Sequence, residues 1–479
     1  MSRYLSYLLT AVLLCACAPE PDHPVPADNR SLTLTGPAAA LSWQETPFTV
    51  QVSANFSYKV SIEADWIRED PAGHSTEFIH YFVADRNPDN WERQGTIRFT
   101  DCNDRYYTKT VVVTQQPNAE VLQSLAIVDK DATPETKALL ANLWAISEKG
   151  WMFGHHDDLW YGRYWYNEAG GSDTRAVCGD YPAVFSVDFA EIMDNRYNAA
   201  ANAIRRRVIL EARERGEVIL ACVHLNNPKT GGDAWDNSSA DVVREILTEG
   251  SATRTRYLSW LDRCASFANN LKDARGNLIP VIFRMYHEHT QGWSWWGSSC
   301  TTESDFIAFW RFTVQYLRDT KGVHSFLYAV SPQMDEIYSN ARGRILYRWP
   351  GDDWVDFVGM DCYHGIWDQA FNANLDALES VSRDKKKPCG VTETGKESFT
   401  ETDYWTRHIL APLDGRRVSM VTMWRNKYVG SDESDKHFFS VYPGHPSEAD
   451  FRSMYQDGRS LFSKDLPDMY TLPSGYEIK

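Results

Sequence analysis

The sequence predicts an α/β fold: a (β/α)8 TIM barrel preceded by a small all-β sandwich domain. Two observations support this prediction. Six or seven short segments between residues 31 and 117 alternate apolar and polar residues, and eight continuous apolar runs follow after residue 130. Alternation is typical of strands with one solvated face, whereas strands buried on both faces read as apolar runs. A chain of 479 residues is long enough for both domains.

Residues 1–17 predict an export signal. Arg3 is followed by an apolar core from Leu8 to Leu14, which is too short to span a bilayer. The segment ends in LCAC and resembles a bacterial lipoprotein box, which implies that Cys17 becomes the lipidated first residue of the mature protein. An ordinary secretory signal is the alternative. Residues 18–30 are proline-rich and polar, and we expect them to form an extended linker.

Residues 31–117 predict the β-sandwich, because turn residues separate their short alternating segments. This domain resembles the BACON type, which precedes many glycan-degrading enzymes. The residues that carry the resemblance are Trp66, Asn90, Arg93, Gly95, Ile97 and the closing TVVVTQQP. We interpret the domain as a spacer, with a glycan-binding module as the alternative. Together with the lipoprotein box, it implies a lipid-anchored protein on the surface of the outer membrane of a Gram-negative bacterium.

Residues 130–465 predict the barrel. The eight apolar runs are 150–158, 181–189, 217–225, 279–288, 326–332, 356–364, 388–395 and 418–426. The segments between them have helical spacing, and residues 257–271, for example, place apolar side chains three and four positions apart. Eight strands that alternate with helices are the signature of this barrel.

Polar residues follow most of these runs at the point where the strand is expected to end. They are His155, His156, Asp157, Asp188, His224, Glu288, Tyr363, Glu393, Trp424 and Arg425. The carboxyl ends of barrel strands converge on one mouth, so we expect these side chains to lie close together. One polar residue at such a position is usually just solvated, but a series of them indicates a functional site.

Glu288 on the fourth run and Glu393 on the seventh are the candidate catalytic pair. Glycoside cleavage needs one carboxyl group that protonates the leaving oxygen and another that meets positive charge at the anomeric carbon. Trp293, Trp295 and Trp296 follow Glu288 and are apolar enough to raise its pKa and flat enough to stack on a sugar. We therefore expect Glu288 to be the acid/base and Glu393 the nucleophile, and a separation of ~5 to 5.5 Å between them would mean a retaining mechanism.

Six motifs, in order along the strands, resemble glycoside hydrolase family 26. They are GHHDD on the first run, CVHLNNP with a following Trp235 on the third, HE with Trp293 five residues later on the fourth, DCY on the sixth, TETG on the seventh and WRN on the eighth. The resemblance implies that Glu288 is the acid/base and Glu393 the nucleophile, and that Tyr363 orients the nucleophile.

The same resemblance implies a set of substrate contacts. These are His156, His224, Trp235, His287, Trp293, Tyr363, Trp424 and Arg425. His287 matches the histidine that precedes the acid/base, and Trp424 with Arg425 matches positions on the non-reducing side of the cleft. For His155 and His156, hydrogen bonds to neighbouring carbonyl groups are the alternative.

The activity that the resemblance implies is that of a retaining endo-β-1,4-mannanase, which hydrolyses mannan, glucomannan or galactomannan without a cofactor. The family has other specificities, so a lichenase or a β-1,3-xylanase is the close alternative. Residues 289–291 read HTQ where members often have Met or Asn and then Gly, which leaves the linkage preference open. The alternatives from other classes are a non-catalytic surface glycan-binding protein and a metal-dependent hydrolase that uses His155, His156 and His224.

The net charge and the spacing of one motif indicate which binding partners we expect for this protein. The formal net charge of −16 argues against nucleic acid, whose binding needs basic patches, and favours a neutral polysaccharide. The zinc motif H-E-x-x-H fails because the residue four positions after His287 is Gln291, so we expect no metal. We expect the protein to be a monomer.

Seven cysteines remain after the signal segment, so at least one thiol should be free. Cys222 and Cys362 lie within apolar runs and are expected to be buried thiols. The sequence leaves a bridge between Cys178 and Cys300 open.

Overall fold

The computed structural model describes residues 13–15, 29–194 and 199–479. Most of the predicted signal segment, including Cys17, and all of the predicted linker except residues 29 and 30 lie outside the described residues. The chain divides into two compact units, Met1–Gln123 and Ser124–Lys479. None of the helices in the described part of the chain has the length and apolar character needed to cross a bilayer.

The described part of the first unit contains eight strands in two antiparallel sheets. They are β1 (Leu13–Cys15), β2 (Leu32–Thr35), β3 (Thr46–Ala54), β4 (Tyr58–Ile62), β5 (Ile67–Glu69), β6 (Ile79–Ala84), β7 (Arg93–Asp101) and β8 (Thr108–Gln115). One sheet has the order β1-β4-β7-β8 and the other β2-β3-β6-β5. Alternate residues of β3, namely Phe48, Val50 and Val52, share one apolar core with Phe99 of β7. The predicted all-β domain is therefore confirmed.

Eight parallel strands form the barrel of the second unit. They are β10 (Trp151–His156), β11 (Val184–Asp188), β12 (Val218–Cys222), β13 (Val281–Arg284), β14 (Phe326–Val330), β15 (Phe357–Cys362), β16 (Cys389–Thr394) and β17 (Met420–Met423). The barrel closes because β10 pairs in parallel with both β11 and β17. Each strand lies within one of the eight apolar runs, so the predicted fold class is confirmed.

Helices and three short strands complete the second unit. The helices are α1 (Pro134–Ile146), α2 (Asp173–Cys178), α3 (Ala190–Asp194), α4 (Ala199–Glu214), α5 (Val242–Leu247), α6 (Ala252–Asn270), α7 (Glu303–Gln315), α8 (Ala341–Ile345), α9 (Asp368–Lys385) and α10 (Glu448–Tyr455). The short strands are β9 (Gln123–Leu125), β18 (Ser460–Leu461) and β19 (Tyr476–Ile478). Single π-helical turns follow α7 at Tyr316–Thr320 and precede α10 at Trp405–Leu410.

The pleat of the strands decides which side chains enter the barrel. Ile282 packs with side chains of six other barrel strands, and they can meet only inside the barrel. Val281 and Phe283 instead pack with the outer helices α4 and α6. Because side chains alternate along a strand, Arg284 shares the inner face with Ile282. A charged residue is thus placed inside the barrel, just below its mouth.

Glu393 enters the barrel through an irregularity in strand register. Val391 packs in the outer core, and strict alternation would turn Glu393 to the same side. Met360 of β15 pairs with Val391, but the next residue, Asp361, pairs with Glu393, so β16 carries one extra residue at this point. A bulge of this kind re-aims the side chain that follows it. Glu393 consequently lies at the mouth.

Candidate active site

Glu288 lies in the turn that follows β13. Tyr286 and Glu288 have left-handed backbone conformations, with φ of 52° and 50°. Such conformations cost about 1 to 3 kcal/mol in non-glycine residues and cluster at functional sites. The amide of Glu288 donates a hydrogen bond to the Ser331 carbonyl at 2.7 Å, which ties the turn to the end of β14. The turn therefore fixes where the carboxyl group points.

The environment of the Glu288 carboxyl group favours its protonated form. Burial and the nearby negative charge of Glu393 raise its pKa to about 7, and the charge of Asp335 acts in the same direction. The indole of Trp293 donates a hydrogen bond to Oε2 of Glu288 at 2.6 Å and opposes the shift. A carboxyl group with this pKa can give up and take back a proton near neutral pH.

The side chain of Glu393 is held by hydrogen bonds from two sides. The Tyr363 hydroxyl donates to Oε2 at 3.0 Å, and the Arg284 guanidinium donates to Oε1. Burial and the charge of Glu393 raise the pKa of Tyr363 well above its usual value, so Tyr363 remains a donor. Arg284 is fully buried and also donates to Asp361 at 2.7 Å. Glu393 thus accepts hydrogen bonds from two donors that fix the position of its carboxyl group.

The two glutamates face each other across the mouth. One carboxylate oxygen each from Glu288, Asp361 and Glu393 lie within 4.8 Å of one another. This upper limit on the oxygen–oxygen distance is compatible with the ~5 to 5.5 Å between the carboxyl groups of retaining glycosidases and is shorter than the ~6.5 to 9.5 Å of inverting ones. Residues 105 positions apart in sequence are thus adjacent in space.

Two groups of side chains lie close enough together to hold a cation. The first is the same three carboxylates, and the second is Asp188, Cys222 and His224. In the first group, the Arg284 guanidinium already donates to two of the three carboxylates. No candidate ligand group in the described part of the chain contains His155 or His156. The metal-hydrolase alternative needs His155, His156 and His224 as ligands of one metal ion, and these three side chains do not form a candidate ligand group among the described residues.

An aromatic wall stands beside Glu288. The His224 and Trp235 rings stack at 5.6 Å between centroids, and Trp235 lies 5.1 Å from Trp293. His224 Nδ1 lies 2.9 Å from a carboxylate oxygen of Asp188, and its Nε2 lies 3.1 Å from Nε2 of His287. Trp235 is 57% exposed, so it presents a flat apolar face to whatever enters the mouth. The structure therefore brings together four of the predicted substrate contacts, namely His224, Trp235, His287 and Trp293.

The opposite wall is formed from β10 and β17. The Trp424 ring stacks on His156 at 4.2 Å, and the Trp424 amide donates to the Thr394 carbonyl beside Glu393. Arg425 donates to the Tyr161 hydroxyl at 3.1 Å. A side cleft of about 480 Å³ opens between the two walls. Its lining includes His156, Asp188, His224, Trp235, Trp424 and Arg425.

Three other residues near Glu288 have structural roles. Trp295 and Trp296 are fully buried and donate to the carbonyls of Leu225 and His287 at 2.9 and 2.8 Å. The expectation that these two rings stack on a sugar is therefore wrong, because the turn directs them into the core. His289, in the stretch that departs from the family pattern, is buried against Phe306.

Cys178 and Cys300 form no disulfide, so the open possibility of a bridge between them is not realised. Cys222 and Cys362 are buried thiols, as expected.

Sequence reasoning missed Arg284 and Asp361, which organise the nucleophile. It also gave no role to Asp335, which accepts the Tyr363 amide at 2.7 Å. A signal was present, because Arg284 and Asp361 interrupt the apolar runs VIFRM and FVGMDC. Charged residues are almost never fully buried unless they are paired, so two opposite charges in two buried strands indicate an ion pair.

Comparisons with known proteins agree with this geometry. The family model for glycosyl hydrolase family 26 matches residues 128–397. A mannan endo-1,4-beta-mannosidase of Bifidobacterium adolescentis is 30% identical over 382 residues, which cover 73% of this chain and 37% of that protein. Mannan endo-1,4-beta-mannosidase A and B of Caldalkalibacillus mannanilyticus is 25% identical over 256 residues, or 50% of this chain and 47% of that protein. The chain thus spans less than half the length of these curated relatives.

Solved structures are similar over most of the second unit. The GH26 beta-mannanase of Bacteroides ovatus has 38% identity and a TM-score of 0.66, over 71% of this chain and 98% of that chain. The catalytic domain of the Bacillus sp. JAMB-750 GH26 endo-beta-1,4-mannanase has 27% identity and a TM-score of 0.68, over 76% of this chain and 100% of that chain.

The environment of Glu288 predicts a pH dependence. We expect kcat/KM for an unactivated oligosaccharide to fall as the pH rises through about 7, because the proton that Glu288 gives to the leaving oxygen is then lost. A glycoside whose leaving group needs no proton should lack this alkaline limb. Trp293→Phe removes a hydrogen bond that lowers the Glu288 pKa, so it should move the limb to higher pH.

Initial rates of both substrates between pH 5 and pH 9, with the wild type and the Trp293 variant, measure this dependence. The same alkaline limb for both substrates would show that it belongs to a group other than Glu288.

Proposed function

This chain belongs to glycosyl hydrolase family 26, and we propose that it is a retaining endo-β-1,4-mannanase. The observation that carries the proposal is the pair formed by Glu288 and Glu393, of which one carboxylate oxygen each lies within 4.8 Å of the other. Burial and the charge of Glu393 raise the pKa of Glu288 and favour its protonated form, whereas the Glu393 carboxyl group accepts hydrogen bonds from Arg284 and Tyr363. A protonated acid and a second carboxyl group held in place to attack are what the first step of a retaining glycosidase requires.

In the first step, Glu393 attacks the anomeric carbon of the sugar. A bond forms between a carboxylate oxygen of Glu393 and that carbon, and the bond to the leaving oxygen breaks. Glu288 transfers its proton to the leaving oxygen, so that the shortened chain departs as an alcohol. Tyr363 and Arg284 hold Glu393 in place, and the Trp293 indole holds the Glu288 carboxyl group.

In the second step, a water molecule takes the place of the departed chain. Glu288, now ionised, removes a proton from the water, and the water oxygen attacks the anomeric carbon. The bond to Glu393 breaks, which restores its carboxylate, and Glu288 is protonated again. Two inversions at the same carbon leave the product with the configuration of the substrate.

The β-mannan substrate is proposed from the relatives, since both curated relatives are mannan endo-1,4-beta-mannosidases and both solved structures are mannanases. The exposed Trp235 beside the catalytic pair and the neighbouring rings of Trp293 and Trp424 offer apolar faces that suit sugar rings. Mannan, glucomannan and galactomannan all contain β-1,4-linked mannose in their backbones, so all three are proposed substrates.

We predict that the purified protein depolymerises β-1,4-mannan to a mixture of short oligosaccharides and acts weakly or not at all on lichenan and β-1,3-xylan. Chromatography of the products from the three polymers, with and without exhaustive chelation, measures this. Faster hydrolysis of lichenan or xylan would replace the proposed substrate. Binding of mannan without hydrolysis would favour the glycan-binding alternative, and loss of activity on chelation would favour a metal hydrolase.

Substitution should separate the roles of the two glutamates. Glu393→Ala should abolish turnover of all substrates, including activated aryl glycosides, because the attacking group is gone. Glu288→Ala should lower kcat for oligosaccharides by roughly 10² to 10⁴ and largely spare the bond-breaking step with aryl glycosides, whose leaving group needs no proton. Exposed Glu249 provides a matched control, and Glu249→Ala should retain wild-type kinetics.

Steady-state and single-turnover rates of the three variants on both substrate types give the comparison. Equal losses on both substrate types for Glu288→Ala would contradict its role as the acid.

The lipoprotein box at residues 14–17 supports a second part of the proposal: a lipid anchor on Cys17 that holds a monomer at the outer membrane, with the BACON-like domain as a spacer. We predict that Cys17→Ala abolishes labelling by a fatty-acid analogue and releases the protein from the membrane fraction. Cys102→Ala, which removes an exposed cysteine, should leave both unchanged. Continued acylation of the Cys17 variant would contradict the anchor.

A further inference from the structure

We propose that Asp188, Cys222 and His224 form a binding site for one thiophilic divalent cation, such as Zn²⁺ or Cd²⁺, and that the bound ion inhibits the enzyme. The site uses neither of the glutamates that carry out the chemistry. The metal site goes beyond the proposed function, and only its inhibitory effect rests on that function.

The ends of two neighbouring strands bring the three side chains together. Asp188 ends β11 and pairs directly with Cys222, which ends β12. Cys222 follows Leu220 by two residues, and Leu220 packs with Ile282 inside the barrel, so the thiol also faces inward. Nδ1 of His224 lies 3.8 Å from Sγ of Cys222. Strand pairing and pleating therefore place a carboxylate, a thiol and an imidazole side by side.

The distances between the three ligand atoms suit a four-coordinate metal. Nδ1 of His224 lies 2.9 Å from Oδ2 of Asp188, and the ligand atoms of all three residues lie within 4.8 Å of one another. Zn²⁺ binds thiolate at about 2.3 Å and nitrogen or oxygen at about 2.0 to 2.2 Å, so tetrahedral ligands are roughly 3.3 to 3.6 Å apart. Small side-chain movements give this spacing and leave the fourth position for water.

The types of ligand atom decide which ions the site selects. A thiolate and an imidazole favour Zn²⁺ and softer ions, whereas Mg²⁺ and Ca²⁺ prefer sites made of oxygen atoms. A coordinated thiol loses its proton to solvent, so the bound form of Cys222 is the thiolate. We therefore expect Cd²⁺ and Zn²⁺ to bind, and Mg²⁺ and Ca²⁺ not to bind.

The side cleft gives an ion a path to the site. The side chains of Asp188 and His224 are 21% and 14% exposed, and both line this cleft. Cys222 is fully buried and contacts His224 from inside the barrel. An ion that enters the cleft therefore meets the carboxylate and the imidazole first, and the thiol completes the site.

A bound ion changes two histidines beside the acid. A carboxylate only accepts hydrogen bonds, so Nδ1 of His224 carries the proton that Asp188 accepts, and Nε2 of His224 accepts from Nε2 of His287 at 3.1 Å. A metal on Nδ1 moves the His224 proton to Nε2, where it faces the proton of His287. The contact between the two histidines then breaks or reverses. Because both are predicted substrate contacts, the ion should oppose sugar binding.

Titration of the purified, chelator-treated protein with Cd²⁺ tests the site, because a cadmium–thiolate bond absorbs in the ultraviolet. We expect a band that saturates at one ion per chain. Cys222→Ser should abolish this band, and Asp188→Asn should raise the Kd at least about tenfold. Cys264 is a fully buried thiol on α6, outside the site, so Cys264→Ala should keep the wild-type band and Kd.

Hydrolysis of a manno-oligosaccharide gives the second readout. At a Cd²⁺ concentration about ten times the Kd, kcat/KM should fall about tenfold, because one site is then almost fully occupied. EDTA should restore the rate, and Mg²⁺ should have no effect. Cys222→Ser, compared with its own rate without Cd²⁺, should lose this sensitivity, and Cys264→Ala should keep it.

A band that persists in Cys222→Ser, or equal Cd²⁺ sensitivity in this variant and the wild type, would overturn the proposed site. If a variant fails to fold, the wild type still decides, because the lack of a band that saturates at one ion per chain contradicts the site by itself. Wild-type protein that hydrolyses no mannan would overturn the proposed function, whereas the absorbance would still decide the metal site.

Discussion

Arg284 lies fully buried below the mouth of the barrel, and its guanidinium donates hydrogen bonds to Asp361 and Glu393. Burying a charge is strongly unfavourable unless it is paired, and removing one partner of a buried ion pair typically costs about 3 to 5 kcal/mol. The stability of the mouth and the position of the nucleophile therefore depend on the same contact. Burial raises the pKa of Glu288, and the charge of Glu393 raises it further, so the placement of Glu393 also affects the acid.

Backbone geometry brings these side chains to one place. The extra residue in β16 turns Glu393 from the outer core to the inside of the barrel. On the opposite side, the left-handed conformations of Tyr286 and Glu288 end β13 in a turn that aims the second carboxyl group inward. Both irregularities depart from regular strand geometry, and both are located at the site. The surrounding regular strands provide the rigid frame in which such departures persist.

Much of this architecture was predictable, because strands buried on both faces must be apolar along their length and their polar ends must converge. Those two constraints are local, and they located the barrel, Glu288 and Glu393. Arg284 was missed because an apolar run is identified by its majority of residues and not by the charge within it. The bulge in β16 depends on pairing with β15, and the orientation of Trp295 and Trp296 depends on a turn. Neither can be derived from hydrophobic pattern alone.

The central claim is that Glu393 forms a bond to the sugar while Glu288 supplies the proton. Trapping the intermediate with an activated fluorinated mannoside, which slows the second step, and identifying the modified peptide by mass spectrometry test it most directly. We expect one added glycosyl group on the peptide containing Glu393, and none in the Glu393→Ala protein. A label on Glu288, or complete hydrolysis with inverted configuration and no labelled peptide, would contradict it.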